Sequence, residues 1–244
     1  MKIILYLVIG LILSGGGVLL LQNAGVIRQP TAEERQRIKF EGQAREHYRA
    51  HIASAKAGGA SDIRIVSVGL RTNVTALEQI TNIYSLARVK VKDKEVSVNP
   101  AGNIQTWYKV DLLGFEHKQD KIGQETLPEH VPIRFLPLLP SESLFFVDGG
   151  EITVDGIRIK KEIAGENKIE LDLQAEYLIA AHLDCEGKLL RKVTSAEGFF
   201  HVQGETLKPF GQRDNGLVRE IDRKYGNDLA RIRSAIQSRQ MQEK

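Results

Sequence analysis

The amino-acid sequence predicts a mainly β domain with flanking helices, an α+β chain whose strands form a small antiparallel β-barrel or sandwich. The first sign is Asp155-Gly156, which stands between two alternating runs. A type I′ hairpin turn needs positive φ at both central residues, and Asp followed by Gly adopts them at little cost. The second is Ile104 to Leu112, where apolar and polar residues alternate as on a half-buried strand. Apolar stripes of helical spacing near both ends of the chain predict the flanking helices.

Composition limits the class of protein. With 244 residues, 42% of them hydrophobic, the chain is long enough for one medium domain with appendages or for two small domains. The net charge of +3 comes from mixed rather than clustered charges, which disfavours nucleic acid as a partner. Cys185 is the single cysteine, so an internal disulfide is excluded and a packed core must stabilise the fold.

A run of 19 uncharged residues, Ile3 to Leu21, lies near the start of the sequence. As a helix rising about 1.5 Å per residue, it would nearly cross the ~30 Å hydrocarbon core of a bilayer. We therefore predict a transmembrane anchor over residues 1–26. A cleaved signal peptide is the alternative, with cleavage near Ser14 and Gly16, but the apolar run continues past that point.

The charges around this anchor bear on its orientation. Lys2 precedes the span, whereas Arg28, Arg35, Arg37 and Lys39 come after it. A literal positive-inside count keeps the domain in the cytoplasm. However, the tail before the span is only two residues long, too short for the positive-inside rule to be decisive. Signal-anchors of this shape usually export the domain on their C-terminal side. We therefore predict a single-pass protein with an extracytoplasmic domain.

Residues 27–58 are predicted to form a helical stalk. Thr31 and Glu34 are placed as a capping box at its start, and Gly58-Gly59 ends it. One face carries an apolar stripe made of Phe40, Ala44, Tyr48, Ile52 and Ala55. The helix either lifts the domain off the membrane or receives a protein partner through Phe40, Tyr48 and Ile52.

Residues 61–210 are predicted to form the β-barrel-like domain. Gly149-Gly150 and Asp155-Gly156 are interpreted as turns that set the strand register of the barrel. Prolines interrupt the apolar run Val131 to Pro140, so this segment cannot be a central strand, and we expect it to lie against the core as an extended cover. Lys188 to Thr194 is predicted to pair with Ala175 to Asp184.

Residues 211–244 are predicted to form a helical tail. Its apolar residues step by three or four along one stripe, which comprises Val218, Ile221, Tyr225, Leu229, Ile232 and Ile236. Gly226 lies in the middle and is expected to split the helix, with Asn227 or Asp228 capping the second part. The stripe either docks on the barrel or binds another chain, with Ile221, Tyr225, Leu229 and Ile232 as contacts.

Four residues are candidates for binding. Arg88, Lys90 and Lys92 alternate along one strand and present a basic face suited to an anion, although such a face is also the ordinary wet side of a sheet. Trp107 falls on the more polar side of its strand, where a large aromatic ring needs cover. We expect Trp107 either to pack beneath one of the terminal helices or to stack on a ligand.

The sequence contains no pattern typical of a catalytic or metal site. His47 and His51 lie one helical turn apart, but the Glu of a His-Glu-x-x-His site is missing and no third ligand stands nearby. His182 and Cys185 are three residues apart at a strand end, which places them on opposite faces. We therefore predict no catalytic residue, no metal ligand and no cofactor.

Five short motifs succeed one another between residues 83 and 210, namely Arg88-Val89, Ile104 to Val110, Gly149-Gly150, Glu176 to Ile179 and Gly198 to Phe200. In this order they resemble a loose family of uncharacterised bacterial extracytoplasmic β-domains. The resemblance implies a small barrel similar to OB-like or netrin-like modules and no settled activity. It does not extend to the proline-rich segment or to the helices at the two ends.

These features predict a membrane-anchored, non-enzymatic binding or assembly module of the bacterial cell envelope, held in the inner membrane with its domain in the periplasm. The alternative is an envelope hydrolase or metal-dependent enzyme. Its site would have to assemble from histidines far apart in the sequence, which are His47, His51, His130, His182 and His201. Single-stranded nucleic-acid binding is disfavoured by the predicted compartment and by the small net charge.

Overall fold

The computed structural model of the chain describes residues 28–68, 76–119, 122–123, 126–164, 170–184, 188–192, 198–209 and 216–242. These residues form eleven strands, five α-helices and one 3₁₀ turn, which confirms a mainly β chain with flanking helices. The anchor predicted at residues 3–21 and the turn that contains Cys185 lie outside these ranges. Within them, no helix has both the length and the apolar character needed to cross a bilayer.

The helices lie near the two ends of the sequence and before the longest strands. They are α1 (Ala32–His47), α2 (Arg49–Ala57), α3 (Leu77–Ile83), α4 (Gly216–Tyr225) and α5 (Leu229–Gln242). The strands are β1 (Asp62–Val68), β2 (Ser85–Val98), β3 (Ile104–His117), β4 (Ile122–Gly123), β5 (Glu142–Asp148), β6 (Gly150–Val154), β7 (Ile157–Ala164), β8 (Glu176–Asp184), β9 (Leu189–Lys192), β10 (Phe199–Gln203) and β11 (Thr206–Pro209).

The chain divides into two compact units after Ile38. As far as it is described, the first unit contains the beginning of α1, where the predicted capping box is present. The Thr31 N–H donates to Glu34 Oε2 at 2.6 Å, and the Glu34 N–H donates to Thr31 Oγ1 at 3.1 Å. Two backbone donors at the helix start are therefore satisfied reciprocally. The second unit, Lys39–Lys244, contains the remaining elements.

Five strands of the second unit close into a ring, which we call the strand ring. Strand β2 pairs with β3, β3 with β5, β5 with β9, β9 with β8, and β8 with β2. The pairings are antiparallel except for that of β5 with β9, which is parallel and joins Leu144 to Leu189. The strands predicted as a small antiparallel β-barrel or sandwich are thus mostly antiparallel, with one parallel pair in the ring. An odd number of strands cannot alternate in direction around a closed ring, so one pair must be parallel.

Strand β8 is apolar along most of its length because both of its faces are covered. Tyr177, Ile179 and Ala181 lie in the cluster inside the ring, whereas Leu178 and Ala180 lie in a second cluster with the helices. The inner cluster is completed by Ala87, Val89, Val91, Tyr108, Val110, Phe145, Val147, Leu171, Leu183, Leu190 and Phe199. Burial on both faces explains why this strand does not show the alternation of a surface strand.

The segment before β8 is fixed against the ring interior by two tyrosines. The backbone N–H of Leu171 donates to the Tyr108 hydroxyl at 3.3 Å, and that of Asp172 donates to the Tyr177 hydroxyl at 2.9 Å. Burial raises the pKa of both phenols, which keeps them neutral and able to accept these bonds. The interior of the ring is thus filled by side chains.

The C-terminal stripe docks on the chain's own strands. All six stripe residues are buried in a cluster with Leu86, Leu178 and Phe200. The predicted split at Gly226 is confirmed, because α4 ends at Tyr225 and α5 begins at Leu229. Asp228 recaps the second helix, since its Oδ1 accepts from the N–H groups of Ala230 (2.8 Å) and Arg231 (3.2 Å).

A second sheet, in the order β1-β7-β6, packs beneath α2 and the later part of α1. Asp155 and Gly156 have φ values of 51° and 78°, which confirms the predicted type I′ turn between β6 and β7. The stripe of the predicted stalk packs here, with Phe40, Tyr48 and Ile52 buried among Val98, Ile104, Val154, Ile157 and Ile159. A partner would reach this stripe, or the C-terminal one, only by displacing the chain's own strands.

Contrary to the prediction, neither Gly149-Gly150 nor Asp155-Gly156 sets the register of the ring, because the Asp155-Gly156 turn lies in the second sheet. The Gly149-Gly150 pair has a different role. It is the point at which the chain leaves β5 and enters the second sheet. Both residues have positive φ, at 108° and 139°. A Cβ on Gly149 would lie 2.9 Å from the Lys161 carbonyl oxygen, and one on Gly150 would lie 2.8 Å from Thr106 Oγ1. Glycine is required here because two backbones and a side chain meet closely.

We expect Gly150→Ala to lower the free energy of unfolding by about 2 kcal/mol, because it adds a strained φ to a steric overlap. Gly42→Ala in α1 is the matched control, since a Cβ there meets nothing within 4 Å. That substitution should raise stability by roughly 0.5–1 kcal/mol. Urea denaturation monitored by circular dichroism measures both changes, and equal midpoints for the two variants would contradict the prediction.

Candidate functional site beneath a proline-rich strap

Residues 126–141, which we call the strap, lie over the outer face of β3 and β5. The strap contains no strand and only one 3₁₀ turn, Ile133–Phe135, which agrees with the predicted extended cover. Val131 and Phe135 are buried against Trp107, Leu144 and Leu189. Leu127, Leu138 and Phe146 pack around this cluster and are partly buried.

We call the outer face of β3 and β5 beneath the strap the strapped face. Trp107 is at its centre and is 0% exposed. Its ring lies 4.9 Å from the ring of Phe146 and 5.4 Å, edge to face, from that of His130. The expectation that a terminal helix would cover Trp107 was wrong, because the strap covers it instead. The sequence signal for this cover was the apolar residues between the prolines of the strap.

Two buried nitrogens on this face have no hydrogen-bond partner among the described residues. They are Nε1 of Trp107 and Nε2 of His130. An indole N–H is only a donor and usually has an acceptor when it is buried. Burial also lowers the pKa of His130, because the charged imidazolium would lose hydration there. The strapped face therefore offers polar groups that the strap leaves unused.

Arg134 attaches the strap to the neighbouring strand β2. Its guanidinium pairs with the Glu95 carboxylate, donates to Asp93 Oδ1 at 3.0 Å and donates to the Lys94 carbonyl at 2.7 Å. The guanidinium carbon also lies 5.1 Å from the centre of the Phe135 ring. Three acceptors thus fix this side chain beside the buried cluster, in the planar geometry that suits arginine.

Glu142 and Lys188 hold the C-terminal end of the strap. Glu142 is buried, and it accepts hydrogen bonds from the Leu139 N–H and from Lys109 Nζ, both at 2.9 Å. Burial alone would raise the pKa of Glu142, but these two bonds hold it below its ordinary value. Lys188 Nζ donates to the carbonyls of Leu139 (2.8 Å) and Pro140 (3.0 Å).

The basic face predicted on β2 is present, but carboxylates neutralise it. Arg88 Nη2 lies 2.8 Å from Glu176, and Lys92 Nζ lies 3.4 Å from Asp111 and 3.5 Å from Glu142. Asp111 and then Glu142 raise the pKa of Lys92. Lys90 stands in register with Asp111 on one side and Glu176 on the other. An anion would therefore have to displace carboxylates to bind here.

The structure separates the four predicted binding residues. Lys92 reaches the strap through Glu142, whereas Arg88 is paired on the side of β8. Sequence reasoning missed Asp93, Glu95 and Arg134, whose charges meet only after the strap has folded over the sheet. The one available signal was the position of Arg134 inside an otherwise apolar, proline-rich run.

Of the histidines singled out from the sequence, His47, His182 and His201 make packing contacts. His47 packs on Gly102, where a Cβ would lie 2.3 Å from the histidine side chain, and His51 is exposed on α2. His182 lies 4.5 Å from the Tyr84 ring, and His201 stacks on a tyrosine of β8. Within the described ranges, no three His, Cys, Asp or Glu side chains come together as a metal site would require.

Comparison with known proteins places the chain in no family. Its sequence matches no protein-family model, and no curated protein matches it. The site must therefore be interpreted from its own geometry.

His130 should make the strap sensitive to pH. Since burial lowers the pKa of His130, the unfolded chain takes up a proton near pH 6.5 while the folded chain resists it. The contribution of His130 to stability is therefore complete above about pH 6.5 and is lost as the pH falls through the folded-state pKa. We expect the urea midpoint to fall between pH 7.5 and 5.5, with part of that fall absent in His130→Gln.

The matched control is His51→Gln, which removes an exposed histidine from α2. Its pH dependence should equal that of the unmodified chain. Fluorescence of Trp107, the single tryptophan, reports the strapped face directly. If His130→Gln and His51→Gln gave the same pH dependence, His130 would have no role in holding the strap.

Proposed function

We propose that this protein is a membrane-anchored, non-enzymatic binding or assembly module of the bacterial cell envelope, with residues 3–21 in the inner membrane and the folded domain in the periplasm. The observation that carries the binding role is a ridge of exposed apolar side chains on the strap. Ile133, Leu136 and Leu139 are 37%, 42% and 57% exposed and fall within seven residues. Clustered exposed apolar side chains are typical of protein contact surfaces.

The anchoring of the strap supports this role. Arg134 and Lys188 fix its backbone at two points, and Phe135 is buried beneath it. The exposed side chains of the ridge are therefore displayed on a segment whose position is already determined. A preordered surface loses less conformational entropy on binding than a free loop would.

The connectivity of the strand ring supports an OB-type interpretation, which we also propose. Five strands in a closed ring with one parallel pair are compatible with the Greek-key barrel of that fold. OB-folds bind their ligands on the face of their second and third strands. Counted around the ring from β2, the second and third strands of this chain are β3 and β5. Their outer face lies beneath the strap.

We expect the triple substitution Ile133→Ser, Leu136→Ser and Leu139→Ser to weaken partner capture without unfolding the protein, because these side chains are largely outside the core. The experiment uses full-length tagged protein solubilised from membranes in mild detergent. The amount of each protein captured by the unmodified chain should fall about tenfold in the triple variant. A tenfold fall corresponds to a loss of ~1.4 kcal/mol of binding free energy.

The control for this experiment is the double variant Val66→Ser and Leu173→Ser, whose side chains are 55% and 50% exposed and belong to segments other than the strap. It removes apolar surface of similar exposure and should capture the same proteins as the unmodified chain. Equal capture by all three proteins would refute the ridge as a contact surface.

We expect the full chain to remain in the membrane pellet after an alkaline carbonate wash, since 19 uncharged residues are nearly enough to cross the bilayer as a helix. Deletion of residues 3–21 should release it into the supernatant. The mass of the mature protein decides between the two alternatives for this segment. An intact N-terminus supports the anchor, whereas a mass that lacks the apolar run means a cleaved signal peptide.

A further inference from the structure

The strap covers the strapped face without joining either sheet. Within it, the Val131 N–H donates to Pro128 O at 3.1 Å, and the Phe135 N–H donates to Pro132 O at 2.9 Å. Side chains of the strap contact the ring, with Phe135 in the buried cluster and Arg134 bonded to Asp93. At its C-terminal end the Ser141 carbonyl accepts from the Leu112 N–H of β3 at 2.7 Å, beside the β3–β5 ladder. Residues 126–140 are therefore the part of the strap that can leave the site without breaking that ladder.

The strapped face also has a binding capacity that the strap does not use. The indole N–H of Trp107 is fully buried and has no acceptor among the described residues. A buried donor without a partner costs free energy, and a cover that placed a carbonyl oxygen there would remove that cost. The strap is therefore an imperfect occupant of this face.

The contacts of the strap show what chemistry the face accepts. Asp93 and Glu95 bind a guanidinium at its edge, and the next residue of the strap, Phe135, fills the apolar site beside Trp107. An arginine next to a large apolar residue, in an irregular proline-rich segment, satisfies both parts of the site. Aromatic-lined grooves are a recurring way to bind proline-rich segments.

We propose that the strapped face is a recognition site for an extended segment of a partner protein, one that carries a basic residue beside a large apolar residue. The strap is the intramolecular occupant that holds this site closed. This inference deepens the proposed binding role and rests on it, but it concerns the face beneath the strap rather than the ridge on top. The partner segment displaces the strap, pairs with Asp93 and Glu95, and places a carbonyl at Trp107 Nε1.

Occupation of the site by the strap weakens the apparent affinity of the site for a separate segment by a predictable factor. If only a small fraction of molecules has the strap displaced, the apparent dissociation constant is the intrinsic constant divided by that fraction. Any substitution that loosens the strap should therefore tighten the binding of a segment supplied separately. This dependence distinguishes a recognition site from a purely structural cover, which would bind nothing when it is loosened.

The test supplies the strap as a synthetic peptide with the sequence of residues 130–141 and titrates it against the full chain. Three hosts are compared, namely the unmodified chain, Phe135→Ala and Arg134→Ala. Arg134 is 41% exposed, so its substitution preserves the fold even if Phe135→Ala does not. The peptide lacks tryptophan, and a change in Trp107 emission therefore reports occupation of the site.

We expect the peptide to bind the loosened hosts at least tenfold more tightly than the unmodified chain. A peptide with Glu in place of Arg134 and Ala in place of Phe135 should not bind. Adding Glu95→Lys to the Arg134→Ala host should weaken binding of the original peptide relative to Arg134→Ala alone, because it reverses the charge that receives the peptide's arginine. Circular dichroism confirms that each host is folded before titration.

Two results would overturn the proposal. Loosened hosts that are folded but do not bind the peptide would mean that the strap is a permanent part of the core. Doubling of the molecular mass by light scattering, without peptide binding, would mean that the occupant is the strap of a second copy. Neither result affects the test of the ridge as a contact surface. Conversely, if the triple ridge variant captured the same proteins as the unmodified chain while the peptide still bound the loosened hosts, the ridge would be refuted and the recognition site beneath the strap would stand.

Discussion

Closure of the five-stranded ring is the constraint on which the other features depend. A closed ring with an odd number of strands needs one parallel pair, and Leu144 and Leu189 form it. Both residues also lie in the buried cluster with Trp107, so ring closure and the packing of the strap support each other. A parallel pair requires a long connection between its strands. The chain uses that connection for β6 and β7 of the second sheet and for β8.

A ring of this kind has an outer face that must be covered wherever it is apolar. Helices α3, α4 and α5 cover it around Leu178 and Phe200, and the strap covers it around Trp107. The two covers differ in kind. The helices satisfy their own backbone groups and contribute broad apolar stripes. The strap, because its prolines remove donors, depends on arginine, lysine and a few buried side chains.

The charged residues of the outer face lie between these two covers. Carboxylates from β3, β5 and the segment around β8 pair with the basic residues of β2, including Arg88 and Lys92. This arrangement stabilises the sheet only modestly, since partly exposed ion pairs contribute about 0–1 kcal/mol each. Its larger effect is on specificity, because Arg88 and Lys92 already have carboxylate partners, while Asp93 and Glu95 are the acidic groups that bind Arg134 of the strap.

Local chemistry determined much of the fold from the sequence. Asp155-Gly156 fixes a type I′ turn, Thr31 and Glu34 fix a helix start, and Gly226 splits the tail, because each depends on residues within a few positions of one another. The helical stripes were also predictable, since their spacing reflects 3.6 residues per turn.

What covers those stripes, and what covers Trp107, was decided only by tertiary structure. Arg88 meets a carboxylate 88 residues away, and Arg134 meets one 39 residues away, so neither pairing leaves a trace in local spacing. The alternation of β3 showed that Trp107 lies on the outer face, but only the folded chain shows that the strap closes over it. The sequence alone therefore determined turns, caps and the faces of helices and strands, whereas the closed ring and the site beneath the strap depend on long-range packing.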